Sequence, residues 1–255
     1  MPENRSLHAP PEDAAPPRRP SVIVVSHERS GTHFLINSLM KAYGYPSPFL
    51  SFDYLSLDID YRNPAVVAGV LGKVGASLRA SVVKSHHAAG FFDGILDRVL
   101  DRTPILYIHR DPVDVMISFW RYARHWMPRE MAHAHTVTDF ALGPTGVTLA
   151  RYQTAPCRDL LERWARHVDE WLDAAAGRPR IVVVRYDDLR DRYTETIAGL
   201  APLLGPLTGV LDPPDRETNV VKGAAADRLP APDRIALRAL ALGRVGDTMR
   251  RLGYA

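Results

Sequence analysis

Cysteine is almost absent: Cys157 is the only one in 255 residues, so no internal disulfide can form and nothing calls for an oxidising compartment. Long apolar runs are missing too, and no stretch approaches the roughly 20 residues that span a bilayer. The first twenty residues hold six prolines and mixed charge but no apolar segment. They read as a disordered tail rather than a secretory signal or an anchor, which predicts a cytoplasmic protein with one domain over 21–255. No basic stripe interleaved with aromatics occurs, so nucleic acid is not an expected partner. The net charge of +3 suits an anionic ligand without specifying one. His125, His133 and His135 lie without a cysteine or carboxylate cluster nearby, so no metal site is expected. No internal repeat stands out.

What is present begins with Ser21-Val22-Ile23-Val24-Val25, a run that reads as a strand buried on both faces. It breaks into Ser26-His27-Glu28-Arg29-Ser30-Gly31-Thr32-His33-Phe34. A helical pattern follows, with Leu35, Ile36, Leu39, Met40 and Tyr43 on one face and Gly44 and Pro46 at its end. A strand, a tight loop and a helix start make an anion site, because the first-turn N–H groups point outward and the helix dipole favours negative charge. Arg29 adds a permanent cation, and Ser30 and Thr32 add hydroxyl donors.

Three more strands are expected at Ala80–Val83, Ile105–Ile108 and Ile181–Val184. They end in Lys84-Ser85-His86-His87, in His109-Arg110-Asp111-Pro112 and in Arg185-Tyr186-Asp187-Asp188-Leu189. Ligands of open parallel sheets bind at the carboxyl ends of the strands, where these clusters lie. Helices are predicted over Pro64–Leu71, after an Asp111 cap with Pro112 in the first turn, over Asp159–Asp173, Thr194–Leu204 and Asp233–Leu252. Ser47–Asn63 reads as irregular chain that either walls a pocket or forms a surface loop. Arg124–Pro156 shows no clear periodicity, and Leu211–Pro232, with four prolines, reads as a mobile flap. The alternation predicts a three-layer α/β/α fold with a mainly parallel central sheet.

A nucleotide triphosphatase of the Walker type needs Gly-Lys-Ser/Thr at the loop end and an acidic residue for magnesium. Here no lysine follows Gly31, and neither Asp111, in a cap context, nor Asp187, beyond a tyrosine, makes a convincing magnesium ligand. The loop is better built for one terminal oxyanion than for a metal-chelated triphosphate.

The pattern resembles the PAPS-dependent sulfotransferases, whose donor is 3′-phosphoadenosine 5′-phosphosulfate and whose fold is related to the P-loop kinases. Arg29-Ser30-Gly31-Thr32 followed by His33-Phe34 is similar to their 5′-phosphosulfate loop, with Arg29 where cytosolic members have Lys and Phe34 where Trp is usual. Lys84-Ser85-His86 is similar to their Lys-Thr-His. Arg110, with Ser118 eight positions later, matches the spacing of their 3′-phosphate pair. Tyr186 falls where a tyrosine touches adenine, and Trp164, His167 and Trp171 also fit. The late Arg-Lys-Gly clamp appears as Val221-Lys222-Gly223, without its arginine. The resemblance implies in-line sulfuryl transfer to a hydroxyl or amine of a small-molecule, lipid or glycan acceptor, with no metal. It implies His86 as general base, Arg29 and Lys84 at the transferred group, and Ser30, Gly31, Thr32, His33, Phe34, Arg110, Ser118, Tyr186, Lys222 and Gly223 at the donor. Glu28 and His33, beside the anion loop, are candidates for acceptor contact, and Phe49, Phe52, Tyr54 and Trp126 suggest a partly apolar acceptor. A kinase using ATP and magnesium, or a non-catalytic nucleotide-binding module, are the competing readings.

Overall fold

The structure, a computed structural model, describes residues 19–52, 63–77, 79–128, 134–214 and 229–255. The tail expected over Met1–Pro20 lies outside them except for Arg19 and Pro20. These two already pack on the fold: Arg19 donates to the Leu204 carbonyl at 3.0 Å and Tyr45 to the Pro20 carbonyl at 2.8 Å.

The four anticipated strands form at β1 (Val22–Ser26), β3 (Val82–Ser85), β4 (Ile105–His109) and β5 (Ile181–Arg185), β3 starting two residues later than Ala80 so that Lys84 and Ser85 fall within it and not beyond its end. A fifth, the two-residue β2 (Leu50–Ser51), pairs along β3 at the edge. Two residues are too short for any periodicity, and this segment was expected to be irregular throughout. The sheet order is β2-β3-β1-β4-β5 with every pair parallel. β1 is therefore central, and the chain leaves it first toward β3 and then toward β4. The crevice at that reversal is where an α/β sheet binds ligands.

Period-two alternation divides the core between the two faces of the sheet. Val22, Val24, Val82, Leu106, Ile108 and Val184 meet α1 (Thr32–Tyr43) on one face. Ile23, Val25, Ile105, Tyr107 and Ile181 meet the helices of the other. Those are chiefly α2 (Pro64–Ala76), α3 (Leu96–Leu100), α4 (Pro112–Trp126), α5 (Val137–Ala141) and α7 (Leu160–Ala175), α6 (Val147–Ala150) being one turn between the last two. The three-layer expectation holds.

Several boundaries differ from the sequence reading, each for a local reason. α2 runs to Ala76 rather than Leu71, started by Asn63, whose side chain accepts from the Ala65 N–H. Arg124–Pro156 is not structureless: Thr136 and Asp139 form a reciprocal capping box that nucleates α5. After β5 the chain turns at once into α8 (Tyr186–Asp191), with Asp187 and Asp188 in a first turn that favours negative charge. The helix expected over Thr194–Leu204 is two, α9 (Tyr193–Ala198) and α10 (Ala201–Leu204), separated at Gly199 and Leu200. α11 (Ala231–Arg251) closes the fold with a kink at Val245. Most of the flap expected over Leu211–Pro232, with Lys222 and Gly223, lies outside the described residues.

α7 carries Leu160, Leu161, Trp164, Val168 and Trp171 into the core, and Asp159 caps it by accepting from the Glu162 N–H at 2.8 Å. Asp159→Ala is expected to lower stability by about 1 kcal/mol in urea denaturation, and Asp159→Asn by only a few tenths. Equal losses for the two would contradict the capping role.

Candidate functional site

The carboxyl ends of the strands converge as the sequence predicts, and the turn after β1 is their centre. Arg29 adopts a left-handed backbone with φ 65°, and Gly31 does so with φ 103°. For an arginine this conformation costs of order 1–3 kcal/mol and persists only where surrounding contacts enforce it. Gly31 is required for a second reason: a Cβ there would lie 2.4 Å from Cδ2 of Tyr186. No side chain caps α1, and its first turn holds no acidic residue. The Ser30 hydroxyl is fully buried with no hydrogen-bond partner among the described residues. The Thr32 hydroxyl lies 2.5 Å from the Ser26 hydroxyl, and either of the two can be the donor.

Arg29 Nε donates to the Ser118 hydroxyl at 3.2 Å, and its guanidinium lies 4.9 Å from the Tyr122 ring centroid. Burial, and secondarily Arg110, lower its pKa. Arg110 stacks 4.3 Å from the Tyr186 ring centroid, and its buried Nε has no hydrogen-bond partner among the described residues. Asp111 caps α4, accepting from the Val113 N–H at 2.8 Å, so Arg110 and Ser118 sit on one rigid frame. Phe34 packs edge-on to Tyr186, and His33 edge-on to Phe49. The fold thus brings Arg29, Gly31, Phe34, Arg110, Ser118 and Tyr186 together around the loop.

Lys84 lies within β3, level with Val24 of β1 and so on the α1 side of the sheet. His86 follows β3, buried, with Nδ1 2.8 Å from the Ser26 carbonyl. A carbonyl only accepts, so Nδ1 carries the proton and Nε2 the basic lone pair. His87 turns instead to the Ser85 hydroxyl at 2.9 Å and to Phe91. With Ser85, Phe52, Val67, Phe91 and Phe92 it lines a small apolar recess. Of the other aromatics expected at an acceptor, Trp126 is exposed at the end of α4, and Tyr54 lies outside the described residues.

Beneath the loop is a charged cluster that sequence reasoning missed. Arg163, on α7 and 2% exposed, grips both Glu28 oxygens at 2.7 and 2.8 Å and donates to His27 Nε2 at 2.7 Å. Glu28, expected beside the acceptor, is held in this ion pair. Burial pushes its carboxyl up, but Arg163 and the neighbouring histidines outweigh that and hold it below the carboxylate range. Breaking such a buried pair from one side costs about 3–5 kcal/mol. Burial, with Arg163, holds His27 at about 3, and burial also pushes His167 well below its ordinary value. Among the described residues, no group of three or more His, Cys, Asp or Glu could hold a metal ion, and no helix is long and apolar enough to cross a membrane.

A wholly parallel sheet whose central strand passes through a five-residue turn into α1 defines an α/β architecture. Residues 19–216 match the family described as Sulfotransferase domain, and the chain belongs to that family. No curated protein matches it. Among solved structures, a sulfotransferase from Alicyclobacillus acidocaldarius is 16% identical over 92% of this chain and 94% of its own, with a TM-score of 0.51. The sulfotransferase domain from the curacin biosynthetic pathway is 15% identical over 93% and 99%, with a TM-score of 0.50. Mouse SULT7A1, solved complexed with PAP, is 16% identical over 79% of this chain and 62% of its own, with a TM-score of 0.48. The chain thus spans less than two thirds of that protein, and the first two likenesses, at 16% and 15% identity, are likenesses of fold.

The buried histidines set the acid stability. His27 at about 3 and His109, lowered to about 4 chiefly by burial, lie below the roughly 6.5 of an unfolded histidine, so unfolding takes up protons below that pH. The stability gained by burying them neutral is complete above pH 6.5 and is lost as pH falls toward 4 and 3. Denaturant midpoints followed from pH 7.5 to 5 are expected to drop, by about 1 kcal/mol per pH unit per histidine below 6.5. A midpoint flat to pH 5 would contradict this.

Proposed function

We propose that the chain transfers a sulfuryl group from PAPS to a hydroxyl or amine of a partly apolar small-molecule acceptor. The observation that carries this reading is the pairing of a left-handed Arg29 and a partnerless buried Ser30 at an uncapped helix start with a histidine whose ring is locked by the same strand end. These groups fit the donor. Ser30, Arg29 and the first turn of α1 would receive its 5′ end, Arg110 and Ser118 its 3′-phosphate, and Tyr186 and Phe34 the base. Lys222 and Gly223, outside the described residues, remain assigned to the donor by the family pattern alone. Bound PAPS supplies an activated sulfuryl group whose departure leaves charge on a phosphate.

The chain's own residues then have three tasks. His86 Nε2 accepts the proton from the acceptor hydroxyl as the new O–S bond forms, while Nδ1–H on Ser26 keeps the ring in the basic tautomer. Arg29, a planar fork that does not deprotonate, and the α1 dipole stabilise the negative charge on the departing oxygen as the old O–S bond breaks. Lys84 is assigned to the sulfuryl oxygens.

His86→Ala is expected to lower turnover by about 10²–10⁴-fold while leaving 3′,5′-ADP affinity within about threefold. Arg110→Ala is expected to weaken 3′,5′-ADP binding by about tenfold or more in calorimetry. Normal turnover in His86→Ala would remove it as the base. Preference of the wild type for ATP–magnesium over 3′,5′-ADP would overturn the sulfotransferase reading in favour of a kinase.

A further inference from the structure

We infer that Arg163 is a positioning residue: through Glu28 and His27 it fixes the backbone that presents Arg29 to the donor. The inference rests on the donor-site reading above and goes beyond it, because Arg163 touches neither of the ligand groups proposed there.

The loop cannot hold itself. β1 ends at Ser26, α1 starts at Thr32, and the backbone hydrogen bond within the intervening turn runs from the Ser30 N–H to the His27 carbonyl at 3.3 Å. The side chains supply the rest. His27 Nδ1–H donates to the Glu28 carbonyl at 3.0 Å, which leaves Nε2 as the acceptor that Arg163 Nη1 meets at 2.7 Å. The two guanidinium nitrogens take the two Glu28 oxygens in a fork. Both residues before Arg29 are thereby pinned to α7, and Arg29 itself is the non-glycine residue with positive φ among those described. Filling the core does not call for these groups, since a hydrocarbon pair of similar volume does that without desolvating two charges. Among the described residues no other arginine or lysine is buried.

The same helix holds the base. One and two turns beyond Arg163, His167 and Trp171 project from the same side of α7. His167 Nε2–H donates to the His86 carbonyl at 3.2 Å and its Nδ1 accepts from the Tyr107 hydroxyl at 3.1 Å. Trp171 Nε1–H donates to the His87 carbonyl at 3.0 Å. α7 is thus a strut with three prongs, and Arg163 is the prong that couples the anion loop to the base segment.

The test is a double-mutant cycle read by 3′,5′-ADP calorimetry. Glu28→Leu with Arg163→Met removes the pair without leaving a buried lone charge, and Arg163→Lys keeps the charge but loses the fork. In protein that melts cooperatively, the paired replacement is expected to weaken 3′,5′-ADP binding about tenfold and Arg163→Lys by a smaller factor. In an Arg29→Ala background the paired replacement is expected to change affinity by less than about twofold, because its effect passes through Arg29. Affinity within about twofold of wild type in the paired replacement overturns the inference, as does the same tenfold loss whether or not Arg29 is present. If the paired replacement does not fold, an Arg163→Lys protein that folds and binds like wild type overturns it equally. A wild type that does not bind 3′,5′-ADP, or an Arg29→Ala variant that binds it normally, fails the donor-site reading itself and removes the inference with it.

Discussion

The geometry of the turn between β1 and α1 is the constraint on which the site depends. A central strand buried on both faces has to become a helix within five residues, and the chain does so by placing Arg29 and Gly31 in left-handed conformations. Among the described residues, that path leaves the first turn of α1 without a side-chain cap and puts the Ser30 hydroxyl inside with no partner. Tyr186, opening α8 from a different strand, lies against Gly31 where any side chain would collide. The loop is consequently shaped from two sides before any ligand arrives, which is what preorganised charge stabilisation requires.

Electrostatics around the turn follow one logic. Histidines 27, 86 and 167 are all buried, and each has a ring nitrogen facing a carbonyl oxygen, so each has a defined tautomer. Arg163 and Glu28 neutralise each other below the loop, so Arg29 and Arg110, the cations proposed to meet the donor, are not cancelled by that carboxylate. Arg110 is instead steadied by the Tyr186 ring and by Asp114 at 3.6 Å, a looser contact with side chains about a fifth exposed. At that distance the pair contributes little stability and can yield to a phosphate.

Much of this was legible in the sequence because it depends on local rules. β-branched runs mark β1, β3, β4 and β5, and polar clusters at their ends mark the site, so Arg29, Ser30, Gly31, His86, Arg110 and Ser118 fall where spacing puts them. β2 was invisible because two residues carry no period, and α8 because an Arg-Tyr-Asp-Asp run at a strand end reads as loop. The Thr136–Asp139 capping box was a readable signal for α5 that the lack of apolar periodicity obscured. Arg163 was missed for a different reason. On an amphipathic helix an arginine reads as solvent-facing, and only tertiary structure shows that the helix turns it toward Glu28, 135 residues away in the chain. The available hint was its spacing, four residues before His167 and eight before Trp171.

The most direct test of the donor seat is a crystal structure of the full chain grown with 3′,5′-ADP and without added magnesium. The account predicts the 5′-phosphate over the first turn of α1 within hydrogen-bond reach of Ser30 and Arg29, and the 3′-phosphate between Arg110 and Ser118. A nucleotide bound elsewhere on the sheet edge, or one whose 5′-phosphate avoids this turn, would contradict it.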